Sequence, residues 1–436
     1  MAETALAPVP APLALPPLTE QRLGNGLVVV AAEQPHAPLA SFCLAFRAGS
    51  ARDPRGKSGL ADFVVELLRR GTRRRAASAI DEALELMGVD LRLETSPDST
   101  VITATLPVEH LEPAMALVAE LLRAPAFPPK EVIAARRRTL ALLATDLDDP
   151  ATLASEAICR AALGKHPYAH SGRGTRRDVA TFGRADCVAW HERWIRPDGT
   201  TLVVAGDLPG SAAIELARAL FEGWSGPQTV ERPVPPVATI AGKPILLVDK
   251  PEANQAQIRL ASNGPERLYP KLVAARLSSQ MLGGSFASRL MDAIRVSRGL
   301  SYGVSSYFTE TEAGGLFVVS SYTETRSVRE LIDVALEEAR LYREEGPSQD
   351  ELARAKRYTN GLFPLSLETV DQLARALVEM KRFGRGADWL ERYRERVLEV
   401  SAEEARTQAQ RFFLGAGWAA AVVGEAKALL PALEGL

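Results

Sequence analysis

Ser58-Gly-Leu-Ala-Asp-Phe-Val-Val-Glu-Leu-Leu-Arg-Arg-Gly-Thr72 is the stretch from which the rest of the chain can be read. Leu60, Phe63, Val64, Leu67 and Leu68 recur at i, i+3, i+4, i+7 and i+8, which is one apolar helical stripe, and Gly71 supplies a stop. Asp62, Glu66, Arg69 and Arg70 fall off the stripe. The spacing therefore predicts an amphipathic helix with a solvated charged face and an i,i+4 pair between Glu66 and Arg70.

Upstream of this helix, 26–31 and 39–46 read as paired strands. Downstream, 78–87 has high helix propensity, and the alternation over 90–106 around Ser96-Pro-Asp-Ser99 predicts a hairpin. Periodic helices follow at 111–122, 129–147 and 150–163, then a buried strand at 201–206 and a helix at 211–221. Residues 225–236 are proline-rich and patternless, as in an extended linker. Beyond it the order of elements begins again, with strands from 246 and 256 and a helix at 271–282. Pro128-Pro-Lys-Glu-Val-Ile-Ala134 parallels Pro347-Ser-Gln-Asp-Glu-Leu-Ala353, and Val203-Val-Ala-Gly206 parallels Val422-Val-Gly424, at offsets of 219 and 218 residues. Such agreement indicates a duplicated unit. The expected fold is α+β: two tandem duplicated α/β-roll domains, each a mixed, mostly antiparallel sheet with helices on one face. The expected boundaries are a flexible tail over 1–18, an N-terminal domain over 19–224, a linker over 225–243 and a C-terminal domain over 244–436.

The whole-chain balance excludes several function classes. A net charge of −2 over 436 residues gives no global attraction to nucleic acid or anionic lipid. The basic run Arg69 to Arg75 has no interleaved aromatics and reads as a solvated or interface patch, not a nucleic-acid site. No apolar run is long enough to span a bilayer. Cys43, Cys159 and Cys187 are too few and too far apart for a disulfide framework, which fits a cytoplasmic location. The Ala/Pro-rich start does not read as a signal peptide, so a periplasmic location would require one already trimmed. His166 and His170 have four-residue spacing, but Pro167 between them argues for a structural role.

Gly59-Leu-Ala, Phe63 and Gly71-Thr72, with the duplication, resemble the frame of the pitrilysin-like zinc metallopeptidases, which carry an inverted H-x-x-E-H motif on this helix. In that motif two histidines hold zinc and a glutamate activates the metal-bound water. Here Asp62 and Glu66 stand in the histidine places and Val65 in the glutamate place, and the third-ligand place falls at Leu142. The resemblance thus implies a degenerate metal site: this chain has no catalytic residue of its own and binds no cofactor. The resemblance also makes the 91–94 strand the edge to which active relatives add a bound peptide.

A second family motif is retained. Leu282-Gly-Gly-Ser-Phe-Ala-Ser-Arg-Leu-Met-Asp-Ala-Ile-Arg-Val-Ser-Arg-Gly-Leu-Ser-Tyr302 resembles the segment that supplies the family's substrate-binding arginine and tyrosine, here Arg295 and Tyr302. Locally, Ser285 is placed to cap a helix running to 297 with Phe286, Leu290 and Ile294 on one face, and Gly299 to end it. Gly283 and Gly284 are secondary candidates for close backbone approach to substrate. The resemblance implies a non-catalytic subunit of a heterodimeric zinc endopeptidase. The partner would be a homologous active subunit with an intact H-x-x-E-H and its zinc, and peptides or unfolded segments would be the substrates. The alternatives are a structural or binding subunit of a larger complex and a peptide-binding scaffold that does not cut.

Overall fold

The computed structural model describes residues 13–226 and 233–436; most of the expected tail and residues 227–232 of the expected linker lie outside the described residues. Among the described residues, eleven strands form two sheets. The first contains β1 (Leu18–Arg22), β2 (Val28–Glu33), β3 (Leu39–Phe46), β4 (Arg92–Thr95), β5 (Thr100–Pro107) and β6 (Thr201–Gly206) in the order β1-β2-β6-β3-β5-β4. The second contains β7 (Ile245–Asp249), β8 (Ala256–Gly264), β9 (Val304–Thr309), β10 (Gly315–Thr323) and β11 (Ala419–Gly424) in the order β7-β11-β8-β10-β9. Apart from β1, the two orders coincide. Each sheet also has one parallel pair at the equivalent place, β2 with β6 and β7 with β11, among antiparallel ones.

β2 and β3 were expected to pair and do not, because β6 lies between them, with Val203 opposite Val30 on one side and Cys43 on the other. All six residues of β6 are buried, and a strand that is apolar on both faces belongs in the interior of a sheet. The hairpin of β4 and β5 forms as expected, which leaves β4 at the sheet edge.

Helices of the first half are α1 (Leu60–Leu67), α2 (Ala77–Leu86), α3 (Leu111–Arg123), α4 (Pro129–Asp146), α5 (Pro150–Leu163), α6 (Arg176–Val179), α7 (Arg184–Trp194) and α8 (Gly210–Phe221). α7 was not anticipated from the sequence. Of its residues only Cys187 and Trp190 are buried, so it carries no apolar period to read. In the second half lie α9 (Leu272–Ser279), α10 (Val328–Glu345), α11 (Gln349–Leu365) and α12 (Val370–Arg382), followed by shorter helices around β11.

Each half packs its own helices on one face of its sheet, as expected, and a helix from the opposite half covers the other face. Phe42, Leu44 and Phe46 point into the core shared with α1, α3 and α8, while Cys43 and Ala45 face the other way, as strand alternation requires. That second face, with Val30, Val203 and Ala205, packs against Leu373, Leu377, Val378 and Met380 of α12, a helix of the second half. The reciprocal exchange also occurs. Ala157 and Ile158 of α5 pack on Ala261, Leu316, Val318 and Ala421 of the second sheet. Burying four large side chains of α12 contributes on the order of 10 kcal/mol. The ion pair between Arg375 of α12 and Glu94 of β4, at 2.9 Å and partly exposed, adds less than about 1 kcal/mol. The exchange is therefore driven by apolar burial and oriented by polar contacts. One such contact joins the turns of the two halves: Asp98 accepts the Tyr168 hydroxyl at 2.5 Å and the Glu312 N–H at 2.8 Å.

The end of the expected tail is ordered structure. Leu18 opens β1, and Leu15 and Leu18 pack against the α12 layer. Part of the proline-rich linker is likewise pinned, through the Val237 N–H on Ala313 O (2.9 Å) and the Ile240 N–H on Asn263 Oδ1 (2.8 Å).

Candidate functional site

Two regions carry the residues singled out by sequence. The first is α1. Its N-terminus is fixed by Asp53, whose two carboxylate oxygens accept the N–H groups of Gly59 (2.7 Å) and Ala61 (2.8 Å). Gly59 has φ of +91°, and a Cβ there would stand 2.4 Å from the carbonyl oxygen of Arg173, so only glycine lets these two segments meet. Burial pushes the Asp53 carboxyl up to about 7, against the pull of the backbone N–H groups. A group raised in the folded state favours folding at low pH and loses that contribution as pH rises through its folded value. Relative to Asp53→Ala, the wild-type chain is therefore expected to lose stability as pH rises from about 4 to about 7. At pH 5 the variant should be less stable by about 1–2 kcal/mol for the lost cap, as read from urea melts.

The charged side of α1 is not solvated as expected, because α4 covers it. Glu66 forms its ion pair with Arg138 of α4 and not with Arg70, which instead joins Arg69 in meeting Asp81 of α2 at 3.3–3.4 Å. Glu66 finds a tertiary partner because α1 is a short helix enclosed by neighbours. The basic run is partly neutralised the same way, with Arg75 on Glu120 at 3.2 Å. Asp62 is pushed above the usual carboxylate range by burial and by the adjacent Glu66 charge, while Arg173 acts in the opposite sense. Val65 is buried in the core, and Leu142 presents an exposed aliphatic side chain.

These residues do not fit a zinc ion. One carboxylate is taken by a guanidinium, no nitrogen or sulfur donor is at hand, and among the described residues no group of three histidine, cysteine or acidic side chains is placed to hold a metal. His166 and His170 are engaged elsewhere. His166 bonds Pro235 O at 2.7 Å and the Tyr168 N–H at 3.1 Å, and His170 bonds Ser171 O at 3.1 Å.

The second region is built from two wide helical turns, Gln280–Gly284 and Met291–Val296, in which the backbone closes one residue later than in an α-helix. Turns of this kind concentrate at functional sites. The Ser297 N–H bonds Asp292 O at 2.8 Å, and Gly299 at φ +63° reverses the chain so that the Leu300 N–H reaches Ile294 O at 2.9 Å. Three hydroxyls then fix the following segment: Thr323 donates to Leu300 O (2.5 Å), Ser321 to Gly303 O (2.9 Å), and Ser301 to Gly303 O (2.9 Å). Arg295 in the helix and Tyr302 after the turn are thereby brought together. The guanidinium carbon lies 4.4 Å from the centre of the tyrosine ring.

Ser285 does not cap this helix. It is extended, and a turn over 285–288 delays the helical start, which leaves Phe286 outside. Leu290 and Ile294 are buried as expected, but Phe286 is 75% exposed and packs on Arg295 at 4.9 Å from guanidinium carbon to ring centre. Arg295 is thus held between two aromatic rings, each contact contributing about 0.5–1 kcal/mol. Among the described residues no carboxylate pairs with it, and Tyr302 is 75% exposed. A guanidinium and a phenol presented this way offer donors to a carbonyl or oxyanion. Gly283 has an internal role, since a Cβ there would come within 2.8 Å of Leu290 and Ser306; Gly284 is exposed, and a Cβ there would rest in ordinary contact with Ser279 O and Ser306 O at 3.4 and 3.5 Å.

Two family descriptions match the chain: "Insulinase (Peptidase family M16)" over residues 28–176 and "Peptidase M16 inactive domain" over residues 181–359. A Helicobacter pylori protein named "Non-peptidase homolog YmxG" is 26% identical over 81% of this chain and 82% of its own length. An uncharacterized zinc protease of Mycobacterium leprae is 27% identical over 92% of this chain and 90% of its own length. Among solved structures, a peptidase M16 inactive domain from Pseudomonas fluorescens superposes with a TM-score of 0.88 at 25% identity, over 94% of this chain and 98% of that one. A protease from Helicobacter pylori superposes with a TM-score of 0.86 at 19% identity, over 94% of this chain and the whole of that one.

Proposed function

The chain belongs to the pitrilysin-like M16 peptidase family, and from that premise we propose that it is the zinc-less subunit of a heterodimeric metalloendopeptidase. In this reading a homologous partner with an intact H-x-x-E-H supplies zinc and base. This chain supplies Arg295 and Tyr302 to hold the substrate backbone and to stabilise the oxyanion formed when water attacks the scissile carbonyl. The substrates are peptides or unfolded segments. The observation that carries the reading is selective: the metal place is closed by Val65 and the Glu66–Arg138 pair, whereas Arg295 meets no carboxylate among the described residues. The name of the Helicobacter pylori relative, a non-peptidase homologue, agrees with the first half of that contrast.

A cytoplasmic location accompanies this proposal, since all three cysteines are free thiols. No helix among the described residues is long and apolar enough to cross a membrane.

The test is reconstitution. The purified chain alone is expected to bind no stoichiometric zinc by metal analysis and to cleave no peptide. Mixed with its H-x-x-E-H relative, it should produce cleavage that neither shows separately. Zinc at one equivalent in the lone chain, or full activity of the relative without it, would refute the assignment.

A further inference from the structure

A cavity of about 340 Å³ opens beside Phe286, between the Gln280–Gly284 turn and α11. Its floor is formed by Met281 and Ala355, both buried. Its walls include two exposed rings, Phe286 and Tyr358. Arg354 and Arg357, both exposed, line the same opening.

Charge in this cavity is unbalanced. Its one carboxylate, Glu351, is held by Arg289 through bonds of 2.6 and 2.8 Å. Against the upward push of burial, the Arg289 guanidinium and the Ser348 N–H keep that carboxyl at about 2, so it stays ionised and neutralised by Arg289. Among the described residues Arg354 and Arg357 meet no carboxylate at ion-pair distance. Two unpaired guanidinium groups beside an apolar floor select a ligand with complementary features, since each guanidinium can take a carboxylate in two parallel hydrogen bonds. Phe286 belongs to both sites: it packs on Arg295 and also lines the cavity.

We propose that this cavity is a peptide subsite that takes one large apolar side chain from a segment bearing carboxylates beside it, so that the chain selects acidic-hydrophobic peptides and disfavours basic ones. The inference rests on the reading that Arg295 meets substrate, because it places the subsite one ring away from that contact. A peptide lying across Phe286 would present its backbone to Arg295 and Tyr302 and its side chains to Met281, Arg354 and Arg357.

The experiment measures binding of fluorescein-labelled decapeptides to the full chain at low salt by anisotropy. Three peptides differ only at the centre, reading Glu-Leu-Asp, Lys-Leu-Lys or Glu-Ala-Asp. The first is expected to bind about tenfold more tightly than either of the others, the scale of two partly exposed charge pairs or one buried side chain. In the double variant Arg354→Glu, Arg357→Glu the order of the first two should reverse. Both positions are exposed, so the reversal tests recognition and not folding. Absence of binding by the Glu-Leu-Asp peptide, equal affinities for the acidic and basic peptides, or an acidic preference that survives the double variant would each overturn the subsite. The Arg295→Ala chain separates this inference from the preceding one. It should keep the acidic preference while the paired enzyme loses turnover, so a lost preference in the double variant with unchanged turnover in Arg295→Ala would refute only the catalytic reading.

Discussion

Arg295→Ala is expected to lower the turnover of the paired enzyme by about 100-fold or more at saturating peptide, while leaving assembly of the two chains intact. The size follows from the role proposed for it: removing one donor aimed at a developing oxyanion costs about 10²–10³ in kcat. Substrate carbonyl and oxyanion sit at nearly the same place, but the full negative charge exists only in the transition state. The loss should therefore fall on kcat more than on KM. Fold should survive, because Arg295 makes two exposed ring contacts and no ion pair among the described residues. Tyr302→Phe keeps the ring under the guanidinium and removes only the phenolic hydroxyl. Its effect should be smaller than that of Arg295→Ala and should again appear in kcat. Steady-state kinetics on the reconstituted pair measure both. Unchanged turnover in both variants would remove the second half of the chain from the chemistry.

Leu377→Asp is expected to unfold the first half of the chain although the residue belongs to the second. Leu377 is fully buried in α12, against a layer that includes Val30, Cys43, Val203 and Ala205 of the first sheet. Truncating such a side chain costs about 2–5 kcal/mol, and burying an unpaired carboxylate there costs more. That total is comparable to the entire stability of an ordinary domain, about 5–15 kcal/mol. Hydrogen exchange should show β3 and β6 losing protection first. Leu377→Ala provides a graded control, with a melting temperature lowered by several degrees and the same strands affected. The reciprocal change, Ile158→Asp in α5, should strip protection from β8 and β11. If either variant disturbed only the half that encodes it, the helix exchange would not matter energetically.

The elements that were legible from sequence are those with a strong local period or a local stop. β3 and α5 fall on the residues expected, and the stripe of α1 is buried as its spacing required. The duplication was visible because strand-order equivalence leaves matching apolar runs, such as Thr201–Gly206 and Ala419–Gly424. Phe286 was misplaced for a definable reason. A phenylalanine four residues before Leu290 fits a helical face only if the helix has already begun, and the extended Ser285 with its following turn postpones that start. The same delay leaves the ring free to pack on Arg295.

By itself the sequence determined that the helix beginning at Leu60 carries one apolar stripe with Asp62 and Glu66 off it, and that Arg295 and Tyr302 stand seven positions apart around a glycine stop. Those are properties of residue type and local spacing. Tertiary structure alone decided what these residues meet: Glu66 found Arg138 from α4, β6 came between β2 and β3, and α5 and α12 crossed to the opposite sheet. Each of these contacts joins positions far apart in the chain. An apolar face specifies that it will be covered but carries no information about which of several similar helices will cover it.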